Sequence, residues 1–192
     1  MIPLAHVGGM PVEEFLALAG GRRYGIAGGA GLDRGALAGS GRRPMSGETL
    51  LIERAFQAPA QAVFDAWTSE EVLRRWFHAA HDWETPEAKV DLRVGGAVRV
   101  VMRDPHKDAE HGGGGRYTEI DPPTRLAFTW TWDEDTDRET LIELDFDEVE
   151  GVTTVRLTHS GLRDEESVRS HEGGWTKCFD NLERTLKASH PG

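Results

Sequence analysis

The segment LAFTWTW, residues 126–132, alternates large apolar side chains with small or polar ones. Side chains of a β-strand point to opposite faces with a period of two, so the large residues of this segment share one face. These residues are Leu126, Phe128, Trp130 and Trp132. A sheet with one strongly apolar face needs a second layer to cover it. The segment therefore predicts a half-buried strand whose aromatic face either fills a core or lines a hollow.

Further strand signals lie on both sides of this segment. LLIERAF, residues 50–56, predicts a first strand, and six later segments have strand composition and are bounded by turn residues. The six segments are residues 88–94, 97–103, 114–120, 125–132, 140–146 and 153–159. Gly95-Gly96 between the first two predicts a two-residue hairpin. The spacing of these segments predicts an antiparallel meander.

Three helices complete the pattern. AQAVFDAWTS, residues 60–69, has apolar residues at helical spacing, and Ser69 is placed to cap a second short helix. A long amphipathic helix is predicted from residue 164 to about residue 189, because its apolar residues fall on one stripe. They are Val168, Trp175, Cys178, Phe179, Leu182 and Leu186. Gly173-Gly174 interrupts its first turns, so either the helix begins late or another part of the backbone approaches closely there.

The formal net charge of −11 over 192 residues argues against two classes of partner. Nucleic acid and anionic membranes would repel such a chain at long range. No apolar run approaches the roughly 20 residues that span a bilayer, and we expect no secretory signal. The single cysteine, Cys178, permits no intramolecular disulfide and fits a reducing compartment. We therefore expect a cytoplasmic protein with no nucleic-acid or membrane partner.

Residues 1–46 differ in composition from the rest of the chain. They are rich in glycine and hold few large apolar residues to offset the entropy lost on ordering. We expect a disordered extension, with at most a short helix near residues 12–18, followed by one folded domain over residues 47–190. The extension is either a flexible tether or a translated upstream stretch with the natural start at Met45 or nearby. The second interpretation is favoured, because regular structure signals begin only near Thr49.

A family resemblance is carried by four segments, which are IERAFQAPAQAVFDAWTSEEVLRRWF, VDLRVGGAVRVVM, GRYTEIDPPTRLAFTWTW and EGGWTKCFDNLERTL. In this order and with these gaps they resemble the activator of 90-kDa heat-shock protein ATPase homologue family, part of the START-like (SRPBCC) superfamily. The resemblance covers residues 50–186 and implies an α+β helix-grip fold. In that fold a strongly curved antiparallel sheet wraps around a long C-terminal helix and leaves a cavity between them.

The predicted aromatic face and the stripe of the last helix would meet in that space. The residues alone leave open whether side chains fill it, because an aromatic stripe opposite a helix is normally core. The resemblance implies a pocket for a small apolar or aromatic molecule. Tyr117 is expected to bring its hydroxyl to the rim. The predicted ligand-binding residues are Phe64, Trp76, Phe77, Val98, Val100, Met102, Tyr117, Phe128, Trp130, Trp175, Phe179 and Leu182.

Signals for a metal site are weak. His78, His81 and Asp82 form an H-x-x-H-D cluster after the second helix, but no further ligand set accompanies them. Surface histidines, or histidines at the pocket mouth, are the favoured interpretation of this cluster. HKDAEHGGGG, residues 106–115, is expected to be a loop and lacks the lysine and hydroxyl residue of a phosphate-binding loop. We expect neither a metal nor a cofactor.

Signals for catalysis are equally weak. His159 and His171 are candidates for acid–base chemistry, because the unperturbed pKa of a histidine, about 6.5, suits neutral pH. No nucleophile accompanies them, since the chain has no G-x-S-x-G motif and Cys178 lies on the apolar stripe of the last helix. We therefore name no catalytic residue.

Three functions from different classes follow from these observations. The favoured one is a binding module that holds a small hydrophobic molecule. The alternatives are an enzyme resembling polyketide cyclases or aromatases and a co-chaperone that stimulates a chaperone ATPase. In the eukaryotic activators, the resemblance implies, a separate N-terminal domain contacts the chaperone, and residues 1–44 are too short and glycine-rich to form one. A chaperone partner is therefore disfavoured, and homodimer formation is left open.

Overall fold

The computed structural model describes residues 47–189, so the predicted disorder and short helix within residues 1–46 lie outside the described residues. The described part contains seven strands and three helices. The strands are β1 (Glu48–Phe56), β2 (Glu84–Val90), β3 (Ala97–Asp104), β4 (Ala109–Asp121), β5 (Arg125–Trp132), β6 (Asp135–Val149) and β7 (Val152–Leu162). The helices are α1 (Ala60–Thr68), α2 (Glu70–Trp76) and α3 (Glu165–Ser189). Among these, no helix combines the length and hydropathy that crossing a membrane requires.

All seven strands form one antiparallel sheet in the order β1-β7-β6-β5-β4-β3-β2. Strands β2 to β7 are each paired with their neighbour in sequence, which confirms the predicted meander. The first strand pairs with the last, and α1 and α2 connect the two edges of the sheet. The sheet is curved and α3 covers its apolar face. The α+β helix-grip fold is therefore confirmed.

The short helices form where the sequence predicts them. The side chain of Ser69 accepts a hydrogen bond from the backbone N–H of Val72 at 3.4 Å, so it caps α2. The Nε1–H of Trp76 donates to the carbonyl oxygen of Ala66 at 2.9 Å, which ties α2 to α1. The ring of Phe77, directly after α2, lies 5.7 Å from the ring of Trp130 between centroids. This corner of the chain thereby extends the core that lies between the sheet and α3.

The apolar stripe of α3 is confirmed, and the late helix start offered for its glycine pair is wrong. All six predicted stripe residues are at most 7% exposed. The helix runs unbroken through Gly173-Gly174, so it does not begin late. A Cβ placed on Gly174 would have nothing within 4 Å, so no close approach of another segment requires glycine at that position. The space beside Gly174 is open.

The predicted two-residue hairpin at Gly95-Gly96 is wrong. Strand β2 ends at Val90, and residues 91–96 form a longer connection in which Gly95 has a φ of +83°. This connection is hydrogen-bonded to β4, because Gly95 N–H donates to Tyr117 O at 2.7 Å and Tyr117 N–H donates to Gly96 O at 3.0 Å. The glycine pair therefore belongs to a loop anchored on a third strand, which spacing along the chain does not reveal.

The strand predicted from residue 114 begins earlier, at Ala109, so Gly112 and Gly113 of the predicted 106–115 loop belong to β4. Gly113 pairs with Val100 on β3 and with Trp132 on β5. A Cβ placed on Gly113 would lie 2.6 Å from Cζ2 of Trp130, well inside contact distance. Glycine is needed here because the indole of Trp130 occupies the space where a side chain would stand.

We predict that Gly113→Ala lowers the free energy of unfolding by about 1–3 kcal/mol, because the added methyl overlaps the indole of Trp130. Gly174→Ala is the matched control, since it adds the same methyl in open space inside a helix. The control should raise stability by up to about 1 kcal/mol. Urea unfolding followed by circular dichroism measures both changes, and equal effects would contradict this account of β4.

Candidate functional site

A cavity of about 40 Å³ lies between the sheet and α3. Most of its walls are apolar or aromatic side chains. The lining residues are Phe77, Ala79, Met102, Trp130, Trp132, His159, Ser170, His171, Gly174, Trp175 and Cys178. This volume holds a few water molecules and is well below the roughly 300–1,000 Å³ of typical ligand pockets. The hollow expected from the sequence is therefore mostly filled by side chains, and a small part of it stays open.

The structure brings four of the twelve predicted ligand-binding residues to this cavity. They are Phe77, Met102, Trp130 and Trp175. The other eight are buried in the core around it, namely Phe64, Trp76, Val98, Val100, Tyr117, Phe128, Phe179 and Leu182. Strand and helix periodicity thus identifies side chains that point inward, but it does not locate the point along each element where packing leaves a gap. The role of these residues in ligand binding stays a prediction.

The expected position of Tyr117 at the rim is wrong. Its side chain is only 1% exposed, and its ring packs edge-on against Phe128 with centroids 5.8 Å apart. Its hydroxyl has no hydrogen-bond partner among residues 47–189, and burial raises the pKa of that hydroxyl above its ordinary value. Tyr117 is therefore a core residue, because its strand turns the ring inward rather than toward the mouth.

Small residues of α3 form the part of the cavity wall that the sequence reasoning missed. Ser170, Gly174 and Cys178 recur every four residues, which places them on one face of the helix. Their side chains are too short to reach the opposite wall, so a gap remains beneath them. Small residues at this spacing, next to an apolar stripe, were the signal that could have located the cavity. The half-buried Trp132 adds a wall that continues the aromatic face of β5.

A hydrogen-bonded chain crosses one wall of the cavity. Trp175 Nε1–H donates to His159 Nδ1 at 3.2 Å. Nε2 of the same histidine lies 2.9 Å from the hydroxyl of Thr140, which donates to the carbonyl oxygen of Trp130 at 2.9 Å. An indole N–H only donates, so Nδ1 of His159 must be the acceptor and the proton must be on Nε2. His159 is therefore neutral, with both ring nitrogens hydrogen-bonded.

A second chain involves His171 and has the opposite tautomer. Trp132 Nε1–H donates to Nε2 of His171 at 3.2 Å. Nδ1 of His171 lies 2.7 Å from the carbonyl oxygen of Ser167 and must donate to it, since a carbonyl only accepts. The rings of His171 and His159 meet edge to face with centroids 4.9 Å apart. The two histidines thus hold the indoles of Trp132 and Trp175 in place.

Burial keeps both histidines uncharged. Burial, and then the nearby His171, lower the pKa of His159 well below its ordinary value. Burial also lowers the pKa of His171, against a smaller opposing effect of its hydrogen bond to Ser167. All four ring nitrogens have partners, so neither histidine can exchange a proton with a bound molecule without breaking an existing hydrogen bond.

The other candidate residues do not form a common centre. His78 is buried, whereas the side chain of His81 is 74% exposed and Asp82 pairs with His106 at 2.7 Å. The described part of the chain contains no group of three or more His, Cys, Asp or Glu side chains placed to hold a metal ion. Burial raises the pKa of the Cys178 thiol to about 12, which leaves it protonated and unreactive at neutral pH.

Comparison with known proteins places this fold in a family. The sequence profile described as Activator of Hsp90 ATPase homolog 1-like protein matches residues 57–187. The chain belongs to this family. No curated protein matches the sequence. Membership of the Activator of Hsp90 ATPase homolog 1-like family confirms the resemblance drawn from the sequence, and it is consistent with a place in the START-like superfamily.

Solved structures resemble the same region. The AHSA1 protein of Silicibacter pomeroyi is 27% identical over 74% of this chain and 99% of its own, with a TM-score of 0.66. The AHSA1-like protein of Aeromonas hydrophila is 28% identical over 73% of this chain and 93% of its own, with a TM-score of 0.63. A Chromobacterium violaceum protein has a TM-score of 0.67 at 21% identity, over 72% of this chain and 97% of its own, and supports the fold alone.

We predict that the free energy of unfolding falls between pH 7 and pH 5. The unfolded chain restores the pKa of His159 to about 6.5, so below that pH the unfolded state binds a proton that the folded state does not. Each such proton lowers the free energy of unfolding by up to about 1.4 kcal/mol per pH unit. Burial lowers the pKa of His78 to about 4, so His78 contributes in the same direction. Urea unfolding at several pH values measures the slope.

His159→Gln should show a shallower slope, because it removes one of the depressed groups. Thr176→Ala is the control, since it removes no titratable group, and it should retain the wild-type slope. A wild-type slope in His159→Gln would show that His159 is not held neutral by the fold.

Proposed function

We propose that this domain binds a small apolar or aromatic molecule in the cavity between the sheet and α3. The observation that carries the proposal is Gly174. Glycine inside a helix costs about 1 kcal/mol relative to alanine, yet no neighbouring atom lies where a Cβ would stand. The only visible effect of this glycine is to leave space in the cavity wall. A residue that lowers local stability without a packing reason, such as this glycine inside a helix, is typical of functional sites.

The composition of the walls indicates the class of ligand. The walls offer flat and polarisable surfaces, which favour an aromatic guest. These surfaces are the rings of Phe77, Trp130 and Trp175 and the thioether of Met102. The polar atoms of the histidines are engaged with protein partners. A ligand with many polar groups would leave those groups unpaired on burial, at a cost of about 1–3 kcal/mol each. We therefore expect a ligand with few polar groups.

Binding must enlarge the cavity. A dry cavity that binds benzene has a volume of about 150 Å³, whereas this one has about 40 Å³. Trp132, His171 and Gly174 are the half-buried members of the lining, so the mouth lies beside them. The 3.2 Å hydrogen bond between Trp132 and His171 closes this side. We infer that a ligand enters beside Gly174, where the wall lacks a side chain, and that the hydrogen bond between Trp132 and His171 stays intact.

The alternative functions lack an observation of this kind. A cyclase-like enzyme would need polar groups free to act on its substrate, whereas the ring nitrogens of His159 and His171 are all hydrogen-bonded. The co-chaperone alternative is supported only by the name of the family. A cytoplasmic setting is part of our proposal, because the single cysteine is an unpaired buried thiol.

We predict that small aromatic hydrocarbons such as indene and naphthalene raise the unfolding temperature of the protein, because a ligand of the native state stabilises it by mass action. Gly174→Leu should abolish this shift by filling the cavity, while raising the unfolding temperature of the free protein. Thr176→Ala is the matched control, since it improves helix propensity on α3 without lining the cavity. A ligand-induced shift in Gly174→Leu equal to that of the wild type would refute the assignment.

Native mass spectrometry of the protein purified from its own host would identify the ligand. We expect an added mass that disappears when the same sample is denatured. Gly174→Leu, purified in the same way, should lack this mass, whereas Thr176→Ala should retain it. An added mass that persists in Gly174→Leu would mean that the bound molecule occupies another site.

A further inference from the structure

A second concavity, of about 340 Å³, lies on the surface between the loop that follows α2 and the last turns of α3. It shares no lining residue with the cavity described above. Its volume falls within the range of typical small-molecule sites. The lining residues are Arg75, His78, His81, Trp83, Asn181, Arg184, Thr185 and Ala188.

The charge of this concavity is opposite to that of the chain. Two arginines supply its positive charge, since burial lowers the pKa of His78 to about 4, and none of its eight lining residues within the described range is acidic. The chain as a whole carries a formal net charge of −11. Such a local reversal of sign raises the concentration of small anions at the concavity, because concave sites lined by one sign of charge focus the electrostatic field.

The guanidinium of Arg184 is held in the concavity by neutral groups. Its Nη2 donates to Oδ1 of Asn181 at 2.5 Å, and its Nε donates to the carbonyl oxygen of Asp180 at 3.3 Å. The Asn181 amide is itself fixed, since Nδ2 donates to the carbonyl oxygens of His78 at 3.1 Å and Trp76 at 3.3 Å. Asn181 is 4% exposed, so a buried side chain orients the arginine.

The positive charge of Arg184 is left without a carboxylate. None of the Asp and Glu side chains within residues 47–189 forms an ion pair with it. Its neighbours Asp180 and Glu183 pair instead with Arg54, at 2.7 Å and 2.8 Å. Arg75, the other arginine of the concavity, forms an ion pair with Glu71. An arginine held in place by neutral hydrogen bonds retains N–H donors for an external acceptor.

We propose that this concavity binds a small organic oxyanion, either a carboxylate or a phosphate monoester, attached to a planar body. The free N–H groups of Arg184 would donate to the anionic oxygens, in the fork geometry that suits both kinds of oxyanion. Arg75 would add positive charge at the rim. The indole of Trp83, which forms part of the wall, would contact the planar body of the ligand.

The test uses three small probes of similar size on the full chain, namely benzoate, phenyl phosphate and the uncharged benzyl alcohol. Titrations are followed by nuclear magnetic resonance at constant ionic strength, with the arginine side chains and the Trp83 indole as reporters. We expect saturable shifts at Arg184 and Trp83 with at least one anion, and none with benzyl alcohol. The anion that binds more tightly identifies the oxyanion. Equal responses to all three probes, or no saturable response to either anion, would overturn the proposal.

Two variants separate a specific site from a general charge effect. Arg184→Gln should weaken binding of the preferred anion by about tenfold or more, because it removes a charged hydrogen-bond donor. Arg169→Gln removes the same charge from the same helix, at an exposed position outside the concavity, and should change the affinity by less than about twofold. Equal weakening in both variants would show that net charge alone attracts the anion, and would refute the site.

Discussion

The structure depends on the covering of one apolar sheet face by α3. An exposed face of Trp130, Phe128 and their neighbours would be unfavourable in water, at roughly 25 cal/mol for each Å² of apolar surface. Only α3 is long enough to cover it, with 25 residues and an apolar stripe that is buried throughout. The short helices then close the corner between the two layers. The order of strands follows from the same need, because β1 must pair with β7 to bring α1 and α2 to that corner.

Large aromatic rings on one face of the sheet need space that a neighbouring strand must leave free. Trp130 is accommodated only because Gly113 on the paired strand has no side chain. The backbone of β5 is further tied to α3 by the chain from Trp175 through His159 and Thr140, which crosses β7 and β6. The cavity wall is therefore fixed by hydrogen bonds as well as by contact. A small gap can persist there because the side chains around it are not free to collapse into it.

Much of this architecture could be predicted from the sequence. Alternation in β5 and the stripe on α3 are periodic signals, and their bounds were predicted to within a residue at most ends. Gly112 and Gly113 of β4 are wrongly predicted as loop, because glycine is typical of loops in local sequence, whereas here it permits a close contact in the folded sheet. The tautomers of His159 and His171 could not be predicted, since they depend on partners distant in sequence. The spacing of small residues on α3 could have located the gap beside Gly174, but its size could not be predicted, because it depends on how far the opposite side chains reach toward the helix.

The two histidine chains also differ in direction. One donates from α3 toward β5, beginning at Trp175 and ending at the carbonyl oxygen of Trp130. The other donates from β5 toward α3, beginning at Trp132 and ending at the carbonyl oxygen of Ser167. Their dipoles therefore point in opposite directions between α3 and β5, so the two chains partly cancel each other's contribution to the field in the space they border. A guest held as proposed in the interior would therefore be selected by shape rather than by charge, whereas the concavity proposed at Arg184 would select by charge.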